Sequence, residues 1–218
     1  MDVRDDFMER VRHALGRKLG QKPLPPPEPL LRIRYVPVEE KIERFRAALE
    51  SLTGTLTVVD SPEAAARAAA ALLNGRTAVA SNHPFLVSCG IPTLPRVAGG
   101  ITDPEELRNA CVNSAVGITS AYCLLADTGT IVLRATPEEP RMISLLPPVH
   151  LAVVAADRLL SNLDEMLSMT PRPFDDSSAM VLITGPSRTG DIEQFLVRGV
   201  HGPAEVHTIL VRGKPPKE

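Results

Sequence analysis

From about residue 38 onward, short apolar runs alternate with longer amphipathic stretches. Residues 55–59 and 149–155 are rich in β-branched side chains, which is typical of buried strands. Residues 61–73 begin with a capping serine followed by proline, which is typical of a helix. Strands that alternate with helices favour parallel pairing, because each connecting helix returns the chain to the same edge of the sheet. The sequence therefore predicts an α/β fold, with a mostly parallel sheet that is covered by helices.

The first 29 residues differ from the rest of the chain. Residues 2–19 predict a short helix with a narrow apolar stripe, and residues 21–29 contain five prolines. Proline fixes φ and lacks a backbone donor, so this stretch predicts an extended spacer. We divide the chain into an N-terminal helical arm with a proline-rich spacer (1–29) and one larger domain (30–218). The arm either docks loosely on its own domain or packs on a second subunit, which would support a homo-oligomer.

The cysteine and histidine content argues against a cofactor held by this chain. Cys89, Cys111 and Cys123 are odd in number and form no CxxC pair, which favours reduced thiols over a disulfide framework. Three cysteines are too few for a self-contained four-cysteine iron–sulfur site. The five histidines show no HxH or HExxH spacing, so we predict no metal site and no bound cofactor.

Charge and hydropathy exclude two further classes of protein. Lys and Arg total 24 against 26 Asp and Glu, and there is no Trp, so a nucleic-acid surface is not expected. The longest apolar stretch, residues 145–156, contains two prolines and is shorter than the roughly 20 residues that cross a bilayer. The N-terminus has acidic residues and no apolar signal segment, so we expect a cytoplasmic protein.

The strongest local signal follows the apolar run 180–183, where the chain reads Thr-Gly-Pro-Ser-Arg-Thr-Gly-Asp. We predict that residues 185–191 form a polar loop that opens a helix at the carboxyl end of a strand. Ligands bind at such ends, and a helix N-terminus attracts anions. The alternative, that the polar side chains only cap the helix, stays open. The candidate anion-binding residues are Gly185, Ser187, Arg188, Thr189 and Asp191.

A second signal is Ala-Asp-Thr-Gly-Thr between two strand-like runs. Gly129 permits positive φ or a close backbone approach, and the hydroxyls of Thr128 and Thr130 suit contact with a ligand. A plain hairpin turn explains the same residues and is favoured by their spacing, because Asp127 and Gly129 are common turn formers.

Two histidines and one arginine complete the candidates. His150 lies one residue into an apolar strand and is a candidate general acid or base; a half-buried histidine bonded to a carbonyl is the alternative. Arg141 is a candidate second anion clamp. His201 lies in Arg-Gly-Val-His-Gly-Pro, where glycines allow the chain to turn back towards residue 185. A ligand contact and a structural role are left open for His201.

Together, the runs ADTGT, SLLPPVHLAVV, LITGPSRTGDIE and RGVHGP resemble the LUD domain, and more closely the lactate-utilization protein C (LutC/YkgG) family. The resemblance covers about residues 38–212. It implies that residues 30–218 form a LUD domain, with a fold similar to the NagB/RpiA/CoA-transferase group.

The resemblance also implies a function. The chain would be a non-redox component of an L-lactate utilization system that oxidises L-lactate to pyruvate, and partner subunits would carry the iron–sulfur clusters. A small carboxylate such as lactate would be held by Arg188, and His150 or His201 would take a proton from its hydroxyl. The motif positions that the resemblance supports as site residues are Thr128, Gly129, Thr130, His150, Gly185, Ser187, Arg188, Thr189, Asp191 and His201.

Two alternatives remain. The chain could be a free-standing enzyme of the CoA-transferase or sugar-phosphate-isomerase type that acts on a phosphorylated or acyl substrate, with Asp127 as base or nucleophile. It could also be an assembly subunit without an active site.

Overall fold

The computed structural model of the chain describes residues 3–22, 33–170, 175, 177–192 and 195–213. The chain divides into two compact units, residues 1–30 and 31–218. The described helices are α1 (Val3–Ala14), α2 (Val38–Ser51), α3 (Pro62–Leu73), α4 (Pro84–Ser88), α5 (Pro104–Asn113), α6 (Met142–Leu145) and α7 (Leu163–Met169). The described strands are β1 (Thr55–Val59), β2 (Ala78–Ala80), β3 (Val97–Ala98), β4 (Val116–Thr119), β5 (Cys123–Leu125), β6 (Thr130–Arg134), β7 (Val149–Ala155), β8 (Leu159–Leu160), β9 (Met180–Ile183), β10 (Arg188–Ile192), β11 (Phe195–Arg198) and β12 (Glu205–Val211).

The N-terminal unit contains α1, which ends at Ala14 and is shorter than the sequence predicts. Acidic side chains occupy its first turn and basic side chains its last turn, which is the arrangement that the helix dipole favours. None of its residues is buried. The predicted proline spacer falls largely outside the described residues, and assembly through this arm stays a prediction.

The domain is built on a six-stranded sheet in the order β1-β12-β7-β4-β2-β3. Every neighbouring pair in this sheet is parallel, as the alternation of strands and helices predicts. The longest strands, β7 and β12, lie near the centre and pair over seven residues, from Val149 opposite Glu205 to Ala155 opposite Val211. The predicted α/β class with a mostly parallel sheet is confirmed.

Two smaller sheets accompany the main one. Strands β8, β5, β6 and β9 form a four-stranded mixed sheet in that order, and β10 pairs with β11 as an antiparallel hairpin. The four-stranded sheet packs on one face of the main sheet, so that face is covered by strands as well as by helices.

Side chains alternate between the two faces of β7, and each face has its own core. Val149, Leu151 and Val153 pack with apolar residues of α3 and α4. Ala152 and Val154 pack with α2 and with the four-stranded sheet. Burial on both faces explains why the β7 segment is continuously apolar in sequence. Among the described residues, no helix is both long and apolar enough to cross a membrane.

Local capping signals bound helices α3 and α5. The Ser61 hydroxyl accepts a hydrogen bond from the backbone N–H of Ala64 at 3.2 Å and caps α3. Asn74 ends that helix in the left-handed region with φ 45°. Asp103 caps α5 through the backbone N–H groups of Glu105 and Glu106.

Candidate functional site

The carboxyl ends of three adjacent parallel strands, β7, β4 and β2, meet at one edge of the main sheet. Ser81 directly follows β2, Ser120 directly follows β4, and Ala155 ends β7. Open α/β sheets bind their ligands at this kind of edge. The strand order therefore makes this edge the expected place for a ligand.

Two neighbouring cavities open at this edge and share His83, Ala121 and Tyr122 in their walls. Their volumes are about 520 Å³ and 280 Å³, within the range of small-molecule sites or just below it. We call the two cavities together the carboxyl-edge cleft. The larger cavity is lined by His83, Pro84, Ala121, Tyr122, Arg134, Thr136, Glu138 and Glu139. The smaller one is lined by His83, Phe85, Ser120, Ala121, Tyr122, Ala155, Asp157 and Arg158.

Glu139 reaches this edge from the loop between β6 and α6. The Glu139 carboxylate accepts a hydrogen bond from the backbone N–H of Ser120 at 3.0 Å through Oε2. The preceding carbonyl, that of Glu138, accepts the backbone N–H of Asn82 at 2.9 Å. The Glu139 N–H is in turn bonded to the Thr136 hydroxyl at 3.1 Å. The loop is thus fixed to the ends of both β2 and β4, which holds the carboxyl group in one position.

The Glu139 side chain is only 5% exposed although it lines the larger cavity. Burial raises the pKa of its carboxyl group to about 7, and the nearby Ser81 and Ser120 offset part of the rise. Both Glu139 Oε1 and Ser81 Oγ are buried without a hydrogen bond of ordinary geometry. The cleft therefore contains a buried carboxyl group whose pKa is raised to about 7 and whose Oε1 has no hydrogen bond of ordinary geometry.

His83 is a half-buried neutral donor in the same cleft. Its Nδ1 accepts the backbone N–H of Phe85 at 3.2 Å, which caps α4. Burial lowers the pKa of His83, the charge of Arg158 lowers it further, and Glu138 opposes them. A neutral imidazole with Nδ1 as acceptor carries its hydrogen on Nε2. His83 can therefore offer a hydrogen bond to a ligand oxygen.

Two arginines bring positive charge to the cleft. The Arg134 guanidinium lies 4.9 Å from the centre of the Tyr122 ring, which is a cation–π distance. Arg158 is exposed, and its charge lowers the pKa of both His83 and Cys123. Arginine is suited to hold a carboxylate through two parallel hydrogen bonds. The cleft thus combines a cation, a neutral donor and a protonatable carboxyl group.

The cysteines are not suited to nucleophilic or metal chemistry. All three are free and buried, and burial raises the pKa of Cys89 to about 11 and that of Cys123 to about 12. A thiol with so high a pKa stays protonated at neutral pH. Within the described part of the chain, no group of three or more His, Cys, Asp or Glu side chains is placed to hold a metal ion.

Two of the segments singled out in the sequence meet elsewhere, beside the C-terminus of α2. The Thr130 hydroxyl is bonded to Thr128 at 2.7 Å and to Thr184 at 2.8 Å. The turn between β5 and β6 is a hairpin turn, as its spacing predicts, and Asp127 in it is exposed. A Cβ atom on Gly129 would lie 2.6 Å from the backbone nitrogen of Leu49, so this position needs glycine.

The prediction that a helix begins in the 185–191 loop is wrong. Gly185 to Ser187 form a turn, after which β10 pairs with β11. The preceding strand β9 belongs to the edge of the four-stranded sheet and runs antiparallel to β6, so it does not end at the carboxyl edge of the main sheet. Thr189 lies opposite Val197 in the hairpin. Asp191 also lies in β10.

The surroundings of the Gly185 turn differ from those of a helix N-terminus. Arg188 Nη2 donates to the carbonyl of Leu52, the C-cap residue of α2, at 2.6 Å. A helix C-terminus carries partial negative charge, which attracts a guanidinium and disfavours an anion. The Ser187 N–H is bonded to the Pro203 carbonyl at 2.8 Å. This turn therefore lies near the amino ends of the parallel strands, and an anion-binding role for it stays a prediction.

The other predicted residues are not brought together with the carboxyl-edge cleft. His150 is fully buried inside the sheet, where its Nε2 is bonded to the Thr119 hydroxyl at 2.8 Å, and burial lowers its pKa to about 4. His201 is exposed in the turn after β11, one residue from Gly202, which lies against Ser187 as the sequence predicts. Arg141 lines a neighbouring open cavity of about 890 Å³, which shares Thr136 with the cleft.

Sequence reasoning missed the residues of the cleft itself. Glu138 and Glu139 lie between Pro137 and Pro140, a pattern that is typical of a charged surface loop. His83 directly precedes Pro84 and follows a short apolar strand. This His-Pro pair was the available signal for a helix that begins just after the strand ends.

Comparison with known proteins places the chain in a family. A family model described as the LUD domain matches residues 42–211. Lactate utilization protein C of Exiguobacterium sp. strain AT1b is 29% identical over an alignment of 221 positions that covers 95% of each chain. The Escherichia coli K12 protein YkgG is 28% identical over an alignment of 228 positions that covers 97% of this chain and 99% of the relative.

The fold is also found in a solved structure. A DUF162 family protein from Deinococcus radiodurans matches with a TM-score of 0.62 at 20% identity, over 81% of this chain and 99% of that one. At this identity the match shows the fold. Because the LUD domain model matches more than half of the sequence, this chain belongs to the LUD domain family.

Proposed function

We propose that this chain is a component of an L-lactate utilization system and that it binds a small carboxylate such as L-lactate or pyruvate. The observation that carries the proposal is the end-to-end similarity to lactate utilization protein C, which covers 95% of both chains. A likeness of this extent includes the whole domain and the carboxyl-edge cleft, so it is not limited to one shared motif.

The chemistry of the cleft supports a small carboxylate as the ligand. Arg158 supplies a cation, and His83 supplies a neutral donor on the wall that the two cavities share. A cavity of about 520 Å³ is ample for a three-carbon acid.

Oxidation of L-lactate to pyruvate removes two electrons, so an acceptor must complete the system. We place that acceptor in iron–sulfur partner subunits. The three cysteines of this sequence are fewer than the four ligands that a common iron–sulfur cluster takes. Their buried, protonated state supports the same assignment.

Growth on L-lactate tests the proposal. A strain that lacks this chain should not grow with L-lactate as the sole carbon source but should grow normally on glucose, and the full-length chain should restore growth. Normal growth of the deletion strain on L-lactate would contradict the proposed function.

Co-purification tests the partners. Tagged full-length chain, isolated from lactate-grown cells, should bring down proteins with the electron paramagnetic resonance signal of reduced iron–sulfur clusters. Turnover of a thioester or a sugar phosphate by the isolated chain would instead support a free-standing transferase or isomerase. An assembly subunit predicts that substitutions in the cleft leave growth on lactate unchanged.

A further inference from the structure

We propose that the carboxyl-edge cleft binds 2-hydroxy and 2-oxo carboxylates as monoanions and that Glu139 must be protonated for them to bind. The choice of these ligands rests on the proposed function. The role given to Glu139 rests on the geometry of the cleft.

The first step is the pairing of the Glu139 oxygens. Oε2 accepts the Ser120 N–H at 3.0 Å. Ser81 is close enough to lower the pKa of Glu139, but neither Oε1 nor Ser81 Oγ has a hydrogen bond of ordinary geometry. A buried polar atom without a well-formed hydrogen bond is costly. A proton on Oε1 turns this oxygen into a donor, and a ligand oxygen in the cleft supplies the missing acceptor. Because Glu139 lines the larger cavity, its carboxyl group is the one that we expect to pair with a ligand oxygen there.

The second step is the charge around Glu139. His83, Arg134, Tyr122 and Glu138 line the larger cavity together with Glu139. The adjoining cavity adds Asp157 and Arg158. His83 is uncharged near neutral pH because burial and Arg158 lower its pKa. Glu139 is consequently the group whose change of charge near pH 7 most affects an anion bound here.

The third step is the coupling between the ligand and the proton. A carboxylate anion placed beside an ionised Glu139 is repelled, whereas a protonated Glu139 donates a hydrogen bond to it. Binding of the anion therefore raises the pKa of Glu139 above its free value of about 7. Below pH 7 the proton is already present, so affinity does not change with pH. Above pH 7 each ligand takes up a proton, and affinity falls about tenfold per pH unit until the pKa of the bound form is reached.

Isothermal titration calorimetry of the full-length chain with L-lactate and with pyruvate, from pH 5.5 to 9, measures this coupling. The wild-type Kd should be constant below pH 7 and should rise about tenfold per pH unit above it. Titrations at pH 8 in two buffers of different ionisation enthalpy should show uptake of nearly one proton per ligand. Glu139→Gln, which is neutral at every pH and keeps an acceptor for the Ser120 N–H, should bind with a Kd that does not rise.

Matched variants separate the role of Glu139 from general effects. Glu43→Gln removes an exposed carboxylate of α2 and should keep the wild-type pH profile. Arg158→Ala should weaken binding at least tenfold at every pH, whereas Arg67→Ala, on the exposed face of α3, should not. Circular dichroism of each variant confirms that it is folded.

Several results would overturn the inference. These are no binding of either carboxylate by the wild type, wild-type affinity that does not change with pH, a wild-type pH profile in Glu139→Gln, and tighter binding of inorganic phosphate than of both carboxylates. If Arg188→Ala lost binding and Arg158→Ala kept wild-type binding, the ligand site would lie at the Gly185 turn.

The inference and the proposed function can fail separately. A deletion strain that grows on L-lactate rejects the function alone, and a flat pH profile with a growth defect rejects the inference alone.

Discussion

Replacement of Glu139 by Gln should stabilise the folded chain, and only at pH values where the carboxyl group of Glu139 is ionised in the unfolded state. Burial raises the pKa of Glu139 from the ordinary 4.5 to about 7. A raised carboxyl pKa means that the folded state binds the proton more tightly than the unfolded state. Glu139 therefore destabilises the fold increasingly as pH rises from 4.5 to 7, and by a constant amount above 7.

The size of the effect follows from these two values. At about 1.4 kcal/mol per pH unit, the penalty is about 1 kcal/mol at pH 5 and about 3 kcal/mol at pH 8. The Glu139→Gln variant has no such penalty because its amide does not ionise. Its advantage in the free energy of unfolding over the wild type should thus grow by about 2 kcal/mol between pH 5 and pH 8.

Urea unfolding followed by circular dichroism at both pH values measures this difference. Glu43→Gln is the matched control, because an exposed substitution changes the free energy of unfolding by less than about 0.5 kcal/mol. If the advantage of Glu139→Gln over the wild type is the same at pH 5 and pH 8, the reasoning is refuted, since the carboxyl group would then keep an ordinary pKa in the folded state.

Three further substitutions test the packing of β4, the N-terminal cap of α3 and the Gly185 turn. Gly117→Ala should lower the free energy of unfolding in urea by about 3 kcal/mol, because its Cβ would lie 1.8 Å from the Ile143 carbonyl oxygen. Gly202→Ala is the control: its Cβ would make only an ordinary contact at 3.5 Å, so the free energy of unfolding should change by less than about 0.5 kcal/mol. Ser61→Ala removes the α3 cap and should lower the melting temperature through a loss of about 1 kcal/mol, and an unchanged melting temperature would argue against the cap. Arg188→Ala should cost about 1 kcal/mol through its lost hydrogen bond and leave growth on L-lactate intact; loss of growth with a stable fold would support the anion-clamp hypothesis.

Much of the fold follows from local signals in the sequence. The β7 run is apolar at every position but His150, which predicts a central strand buried on both faces, and the structure places it there. Ser61 begins α3 because its hydroxyl accepts a hydrogen bond from a free backbone N–H of the first turn. Asn74 ends the helix because asparagine tolerates the left-handed backbone conformation. Signals of this kind act within a few residues, so they can be read without knowledge of the rest of the chain.

The Gly185 turn shows where local signals become ambiguous. Serine, threonine, aspartate and glycine favour a helix start, but the same residues favour a turn between strands. Pairing of β10 with β11, and the contact of Arg188 with the end of α2, decide between the two. Leu52 lies 136 residues away from Arg188 in the sequence, so no local pattern could reveal this contact.

The sequence did not single out Glu139, for the same physical reason. In sequence, two acidic residues between prolines predict an exposed loop, and Glu138 is indeed exposed. Glu139 is buried because the loop places its side chain at the ends of β2 and β4, where the Ser120 N–H donates a hydrogen bond to its carboxylate. The raised pKa of Glu139 arises from that burial, which is a property of the assembled sheet edge and of no single segment. A buried carboxyl group of this kind can be identified only once the parallel strand order is known, because the strand order determines which loops share the carboxyl edge.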